Sequence, residues 1–352
     1  MSVAKDLITD LVFEIDAYES QIVSNKQEIG NLKVMVTNHE LTIANKDLEI
    51  DALNKKISEL EEPAPPPAPL PIVVSQNPKV YDKGLTSDKV TSDYGQRLIV
   101  DTKAKYDALM KDSGGWLRFQ NHGGLWIKNI PLVNIPRLDS NNCWVMLFEN
   151  CTKVIIGEYD GLKGKTGLEI KNNTFLKIGN GKSFDNFRLE DSRHQGDGII
   201  INSADCRFEA GVFETGLNGD SGIDNKGYAV IEEWISTLDG GGLKSRYYTE
   251  IKKFTIKDAG RNPGRNQFGY GIQSRADGAQ DSLVVLHSGL IDNCEDPDQS
   301  IKASVVNTGK KSVVEIRGAV TVKRPAGYTG SVFMEVNGGD IPQSSRDKVT
   351  VV

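Results

Sequence analysis

The residues best suited to chemistry in this chain are aspartates that follow short apolar segments. Asp191 and Asp197 enclose an arginine and a histidine in the sequence DSRHQGD, and Asp258 follows a later apolar segment as Asp191 follows its own. Two carboxyl groups about 5 to 10 Å apart can cleave a glycosidic bond, one as the acid and the other as the base or nucleophile. We therefore treat Asp191, Asp197 and Asp258 as candidate catalytic residues.

These aspartates also have a structural interpretation, which the sequence favours. Asp and Asn side chains at the ends of strands commonly accept hydrogen bonds from turn amides or stack into ladders. The sequence therefore leaves open whether the chain is an enzyme, either a polysaccharide hydrolase or a lyase, and favours binding without catalysis.

Three tyrosines are candidate ligand-binding residues. Tyr247, Tyr248 and Tyr270 combine an apolar ring with a polar tip and could stack on sugar rings, although some aromatic residues of this region must fill the core. The longest polar insertions, residues 214–228 and 258–282, are the expected contact surfaces.

The composition argues against several other classes of partner. The net charge is −6 and the longest basic clusters are pairs such as Lys252-Lys253, so we expect no nucleic-acid partner. No signal sequence and no run of 18 apolar residues is present, so we expect no membrane insertion. We expect no metal, cofactor or disulfide, because the cysteines form no CxxC pair and are typical of buried thiols. They are Cys143, Cys151, Cys206 and Cys294.

The C-terminal body that carries these residues contains an internal repeat. The sequence GLWIKN at Gly124 recurs as GLEIKN at Gly167, which defines a long shift. The sequence ENCTKVIIG at Glu149 matches KNNTFLKIG at Lys171, which defines a shift half as long, so the long shift corresponds to two repeats. A period of about 22 residues predicts the coil of a parallel β-helix.

Apolar and polar residues alternate in the strands of this body, for example in FTIKD at Phe254. Such alternation points every second side chain into the core, and it places the adjacent Glu232 and Glu233 on opposite faces. Between Trp116 and Arg324 there is room for about nine or ten stacked coils.

A cap is expected before the first coil, because an uncovered strand invites edge pairing. Asp101 is the predicted N-cap of a short helix that ends at Gly114-Gly115, ahead of the strand WLRF at Trp116. With this helix, the Gly-rich turn and the coils, residues 101–324 resemble the pectate-lyase-like β-helix superfamily, in particular phage tailspike and tail-fibre proteins.

The resemblance implies a mainly β chain with a right-handed parallel β-helix over residues 101–352, and either cleavage or simple binding of polysaccharide. The polygalacturonase motifs Asn-Thr-Asp, Asp-Asp and Gly-His-Gly are absent, although Gly196-Asp197-Gly198 is a partial echo of them. Pectate-lyase chemistry would need a calcium cluster and an arginine base, and Arg261 near Asp258 is the nearest arrangement.

The N-terminal segment, residues 1–62, has a heptad pattern. Isoleucine or valine recurs at every seventh position, at Ile8, Ile15, Ile22, Ile29, Val36, Ile43, Ile50 and Ile57. This pattern predicts a parallel α-helical coiled coil over residues 1–62. Leucines at the second seam position favour a dimer, whereas the polar Asn25 and His39 there, together with the resemblance, favour the homotrimer that we expect. A proline-rich neck, residues 63–72, and an irregular collar, residues 73–100, follow.

A coiled coil, a stiff neck and a β-helix together predict a virion structural protein, namely a trimeric tail fibre, a tailspike or a capsid-attached fibre on the tail or capsid surface. Its N-terminal region would bind other virion proteins, and its body would bind a host-surface polysaccharide or receptor. The alternative is a polysaccharide depolymerase that acts on host capsule or lipopolysaccharide.

Overall fold

The strands of this protein form where β-branched and aromatic residues alternate with polar ones between Gly, Asn and Asp turns. The computed structural model describes residues 21–22, 25–28, 75–86, 96–187, 196–261, 270–276, 281–294, 303–309, 311–328 and 331–352. The chain divides into two compact units, Met1–Pro71 and Ile72–Val352.

In the N-terminal unit, residues 21–22 and 25–28 are helical. Gln21 donates a hydrogen bond from Nε2 to Oδ1 of Asn25, one turn further on, at 3.0 Å. The remainder of the predicted coiled coil (1–62) and the whole predicted neck (63–72) lie outside the described residues. No helix in the described part of the chain is long and apolar enough to cross a membrane.

The C-terminal unit is mainly β. Its described residues form helices α1 (Lys103–Ser113) and α2 (Gln343–Arg346). Its strands are β1 (Lys79–Asp82), β2 (Leu98–Val100), β3 (Trp116–Lys128), β4 (Leu132–Glu149), β5 (Lys153–Leu162), β6 (Leu168–Lys171), β7 (Phe175–Phe184), β8 (Ile199–Ile201), β9 (Arg207–Gly216), β10 (Ser221–Asn225), β11 (Tyr228–Thr237), β12 (Gly241–Ser245), β13 (Tyr248–Lys257), β14 (Ile272–Arg275), β15 (Ser282–Asp292), β16 (Val305–Thr308), β17 (Ser312–Ile316), β18 (Val320–Lys323), β19 (Phe333–Val336) and β20 (Val349–Val351). They form one sheet in which every pairing between described strands is parallel, and the fold is a parallel β-helix.

Each coil contributes to three faces. In the coil that begins with β11, residues 228–231 belong to face 1, residues 233–237 to face 2, and the short strand β12 to face 3. Pairing of β11 with β13 is interrupted at Glu232, and both Glu232 and Glu233 lie outside the core. The prediction that these two glutamates face opposite sides is wrong, because the bend between faces 1 and 2 shifts the alternation by one residue.

The register of the strands confirms the predicted repeat. Leu125 pairs with Met146, which pairs with Leu168, so the long shift spans two coils. Val154 pairs with Leu176, so the shift half as long spans one coil. On face 2, nine described strands stack between β3 and β18, as predicted for this part of the chain.

The interior of the coils is apolar and closely filled. Trp234, Phe213 and Phe254 lie on neighbouring coils of face 2 and are at most 1% exposed. Burial of each such side chain stabilises the fold by roughly 1.5–3 kcal/mol. All four cysteines are free and buried, as predicted.

Helix α1 begins one residue later than predicted. Thr102 is the N-cap, because its Oγ1 accepts a hydrogen bond from the backbone amide of Lys105 at 3.3 Å. Asp101 instead pairs with Lys105 Nζ at 2.7 Å. The helix ends as predicted, with Gly114 in the left-handed conformation at φ 56°.

Strands β1 and β2 lie in the segment 73–100, which the sequence predicts to be irregular. Both pair in parallel with β3, so the sheet begins ahead of the predicted first coil. Strand β1 has four residues and β2 has three, too few to show an alternation of apolar and polar positions.

Candidate functional site

The turn that follows face 2 is a column of residues in the left-handed conformation. Their φ angles lie between 46° and 58° in Asn121, Asn142, Lys163, Asp185, Leu217, Leu238, Asp258 and Asn293. Asp258 belongs to this column, and its carboxylate accepts a hydrogen bond from Nδ2 of Asn293 in the next coil. Asp258 therefore has a structural role, in the turn and in a hydrogen bond between neighbouring coils. Asp191, the sequence-predicted counterpart of Asp258, lies outside the described residues.

Asp197 belongs to a buried cluster of charged and polar side chains on the outer side of face 3. The cluster consists of Asp197, Asp220, Asp224, Lys244, Arg246 and Tyr270. The Nζ atom of Lys244 lies 3.2 Å from Oδ1 of Asp220, and Nε of Arg246 lies 3.5 Å from Oδ1 of Asp224. Oδ1 of Asp197 accepts a hydrogen bond from the amide of Ser221 at 3.1 Å. We call this group the Asp197 cluster.

Burial, and then the carboxylates of Asp220 and Asp224, raise the pKa of Asp197 to about 7, against the opposing charge of Lys244. Burial by itself lowers the pKa of Lys244, but Tyr270 and the three carboxylates outweigh it and raise that pKa. A carboxyl group that is half protonated near neutral pH has the property required of a general acid. Asp197 is only 4% exposed, however, so this structure gives a polysaccharide no direct access to it.

The structure does not bring the three predicted ligand-binding tyrosines together. Tyr270 is 1% exposed and its ring covers Gly241, where an added Cβ would lie 2.7 Å from the ring. Tyr248 is half-buried on face 1, stacked on the ring of Tyr228 at 4.5 Å, and its hydroxyl donates to Oε2 of Glu250 at 2.9 Å. Tyr247 is half-buried in the corner before β13. Of the three, Tyr270 cannot stack on a ligand that approaches from solvent.

A groove lies on the outer surface of face 2, across strands β4, β5, β7 and β9. It has a volume of about 390 Å³, and a second cavity of about 210 Å³ shares Asp139 and Asp160 with it. Volumes of roughly 300–1,000 Å³ are usual for sites that bind small ligands. The polar and charged residues that line the two cavities include Arg118, Arg137, Asp139, Glu158, Asp160, Asn180, Lys182 and Glu214. We call the two cavities together the face 2 groove.

The register of the sheet places the groove side chains in columns. Asp139 pairs with Asp160, and Asp160 pairs with Lys182 on the next strand. A second column runs beside it, in which Glu158 pairs with Asn180. Neighbouring strands lie about 4.8 Å apart, so successive residues of a column are direct neighbours.

Most of the charges in the groove are held by protein partners. Asp139 accepts hydrogen bonds from Nε1 of Trp116 at 2.8 Å, from NH2 of Arg118 at 2.9 Å and from Nε of Arg137 at 3.1 Å. Arg137 also lies 3.3 Å from Glu158. Its guanidinium group lies 4.3 Å from the centre of the Trp116 ring.

The far side of the groove has one further ion pair, between Lys182 and Glu214 at 3.3 Å. Asp160 differs from the other carboxylates of the groove. It is exposed, and within the described part of the chain it has neither a hydrogen bond nor an ion pair. The groove therefore offers a ligand one free carboxylate among charges that are already paired.

A third cavity, of about 460 Å³, lies at the corner between faces 3 and 1. It contains Trp126, whose ring has Lys128 Nζ 4.3 Å and the Arg97 guanidinium 5.2 Å from its centre. The amide of Asn150 donates to Oδ1 of Asn129 at 2.8 Å in the neighbouring coil. The ring and the amides of this corner are engaged within the protein, which indicates a structural role.

The sequence contains a signal for the face 2 groove, although none of the candidate residues named from the sequence lines it. Asp139 and Asp160 are separated by the length of one coil, and so are Asp160 and Lys182. The repeat alone therefore predicts that the three side chains share a column. Asp139 and Asp160 lie within strands β4 and β5, away from the strand ends at which candidate carboxylates are expected.

No family model, no curated protein and no solved structure matches this chain. The fold and the site geometry are therefore the basis for any functional conclusion.

Proposed function

We propose that the protein is an attachment protein, a virion fibre or tailspike whose right-handed β-helix binds a host-surface polysaccharide through the face 2 groove. The observation that carries this proposal is the groove itself, which crosses five strands of one face, β3, β4, β5, β7 and β9, and is lined by polar and charged side chains. Five strands about 4.8 Å apart span roughly 19 Å, enough for a short segment of an extended polymer.

The chemistry of the groove suits a hydroxyl-rich ligand. Carboxylates such as Glu158 and Asp160 accept hydrogen bonds from hydroxyl groups, and the amide of Asn180 can both donate and accept. Ion pairs that are already formed, such as Lys182 with Glu214, hold their side chains in place. They therefore reduce the side-chain conformational entropy that is lost when a ligand binds.

The proposal is tested by filling the groove. Asn180 is exposed in the second column, so Asn180→Trp places an indole over the groove without disturbing the core. On a panel of immobilised neutral, amine-bearing and uronate glycans, the wild-type chain is expected to bind at least one member, and the variant to lose at least tenfold in affinity with an unchanged melting temperature.

The matched control is Ser288→Trp, at an exposed position of the same column beyond the end of the groove. This variant is expected to bind as the wild-type chain does. Equal binding by Asn180→Trp, or no binding by the wild-type chain to any glycan of the panel, contradicts the proposal.

The proposal includes a homotrimer joined by the predicted N-terminal coiled coil, which would also bind other virion proteins. Its support is the unbroken Ile and Val heptad pattern from Ile8 to Ile57. Light scattering on the full chain should give three times the mass of one chain. A mass of one chain would rule the trimer out.

The second candidate function, depolymerisation of host capsule or lipopolysaccharide, has one specific observation in its favour. Asp197 combines a raised pKa of about 7 with two neighbouring carboxylates, Asp220 and Asp224. Under this proposal Asp197→Asn would abolish the shortening of host polysaccharide, measured by gel filtration. An unchanged rate of cleavage by the variant, or no cleavage by the wild-type chain, excludes it.

A further inference from the structure

The free carboxylate of Asp160 lies next to another carboxylate. Asp139 and Asp160 are directly paired across strands β4 and β5. Like charges in directly opposed positions on neighbouring strands destabilise a sheet. The charge of Asp139 is offset by Arg118 and Arg137, whereas that of Asp160 is not offset by any ion pair in the described part of the chain.

The cations that line the groove already neutralise carboxylates of the protein. Arg118 is bonded to Asp139, Arg137 to Asp139 and Glu158, and Lys182 to Glu214. An anionic ligand would compete with these carboxylates for the cations and would meet Glu158, whose side chain is 62% exposed. The net charge of −6 on the chain adds a long-range repulsion of the same sign.

From these two observations we infer that the face 2 groove selects glycans that carry a protonated amine, and that Asp160 is the residue that determines this selectivity. An ammonium group beside Asp160 would form an ion pair and relieve the repulsion from Asp139. A uronate would add a third carboxylate to the same place. This inference rests on the proposed function and specifies the ligand class of the same groove.

The test uses three oligosaccharides of equal length: the trimer of glucosamine, its N-acetylated counterpart and trigalacturonate. Titration calorimetry on the full chain at low ionic strength is expected to rank them in that order. The glucosamine trimer should bind about fivefold more tightly than the N-acetylated trimer, the upper range for an exposed ion pair. This advantage should decrease as salt is added.

The variant Asp160→Asn is expected to bring the ratio of the two affinities to about one, because it removes the charge and keeps an acceptor of hydrogen bonds. The control is Asp281→Asn, whose side chain is 79% exposed outside the groove and which should leave the ratio unchanged. Equal or tighter binding of trigalacturonate, or an unchanged ratio in Asp160→Asn, overturns the inference while the groove still binds glycans. If no trimer binds, the inference fails, and the wider glycan panel decides whether the groove proposal fails with it.

Discussion

Asp239 shows at the scale of one residue how this fold buries a charge without a cation. Its carboxylate is fully buried and accepts four hydrogen bonds, from the backbone amide and Nδ2 of Asn218 and from the hydroxyls of Thr215 and Ser236. Asn186 and Asn218 occupy the corresponding places in the two preceding coils, and Nδ2 of Asn186 donates to Oδ1 of Asn218 at 2.7 Å. Asp239 is thus the charged end of an interior amide ladder.

Burial raises the pKa of Asp239 to about 6, although its four hydrogen bonds act in the opposite direction. A carboxyl group whose folded-state pKa is raised destabilises the fold when it is ionised, so stability decreases as the pH rises from about 4 to about 6. The penalty is fully present above that window, and from about 3.8 to about 6 it corresponds to roughly 3 kcal/mol.

We therefore expect Asp239→Asn to be more stable than the wild-type chain at pH 8 and to match it near pH 4. An asparagine keeps the acceptor for Asn218 and can donate to the two hydroxyls. Melting temperatures of both proteins across this pH range provide the measurement, and their difference isolates Asp239 from the titration of Asp197. A difference in melting temperature that does not change with pH would refute the raised pKa of Asp239.

The sequence predicts the role of a residue where residue type and position in the strand pattern determine it. It does not predict which residues outside the strands are buried. The buried cysteines and the ladder role of Asp258 follow from residue type and position at strand ends. The burial of Tyr270 and Asp197 does not, because both lie outside the strands, where the alternation of apolar and polar residues makes no prediction. A single sequence contains no periodic signal for such packing.

At the scale of elements, the corner after face 2 explains several unusual residues. Every described coil from β3 to β15 turns there through one left-handed residue, most often Asn or Asp. Asn and Asp tolerate this conformation because their side chains can hydrogen-bond locally, whereas other residues with a Cβ are strained by about 1–2 kcal/mol. Leu217 and Leu238 occupy the corner in two successive coils, at φ 57° and 58°.

Leu217→Asn is therefore expected to stabilise the β-helix by about 1 kcal/mol, since Leu217 is 39% exposed and contributes little to the core. The matched control is Leu162→Asn, at a position that is 41% exposed, ends β5 and is absent from the left-handed set. Thermal unfolding followed by circular dichroism should show a higher midpoint for Leu217→Asn alone. A higher midpoint for both variants, or for neither, would contradict the backbone strain expected at Leu217.

The elements differ in how much of them the sequence predicts. Coil length is readable because each coil must return an apolar residue to the core at the same place, as Val154 and Leu176 do. The bend inside a long strand is not predicted, although the adjacent polar residues Glu232 and Glu233 interrupt the alternation of apolar and polar positions there. The capping helix was predicted within one residue, since Thr102 and Asp101 are both good N-caps.

At the scale of the whole molecule, the proposed recognition surface lies in the C-terminal unit, Ile72–Val352, which contains the whole face 2 groove. The parallel β-helix suits this role because each coil adds one row of side chains to a face that can lengthen without changing the core. The heptad pattern of the segment 1–62 predicts association, which would present several copies of the groove to a surface and increase avidity.

Carboxylate footprinting would test whether a host-surface glycan binds in the face 2 groove, as proposed. Carbodiimide coupling labels exposed carboxyl groups, and peptide mass spectrometry then reports the extent of labelling at Glu158, Asp160 and Asp281, all of which are exposed. With a glycan identified on the panel at saturating concentration, labelling of Glu158 and Asp160 should fall several-fold while that of Asp281 stays constant. Unchanged labelling of Glu158 and Asp160 in the presence of a bound glycan would show that the glycan binds elsewhere and would rule out the proposed groove.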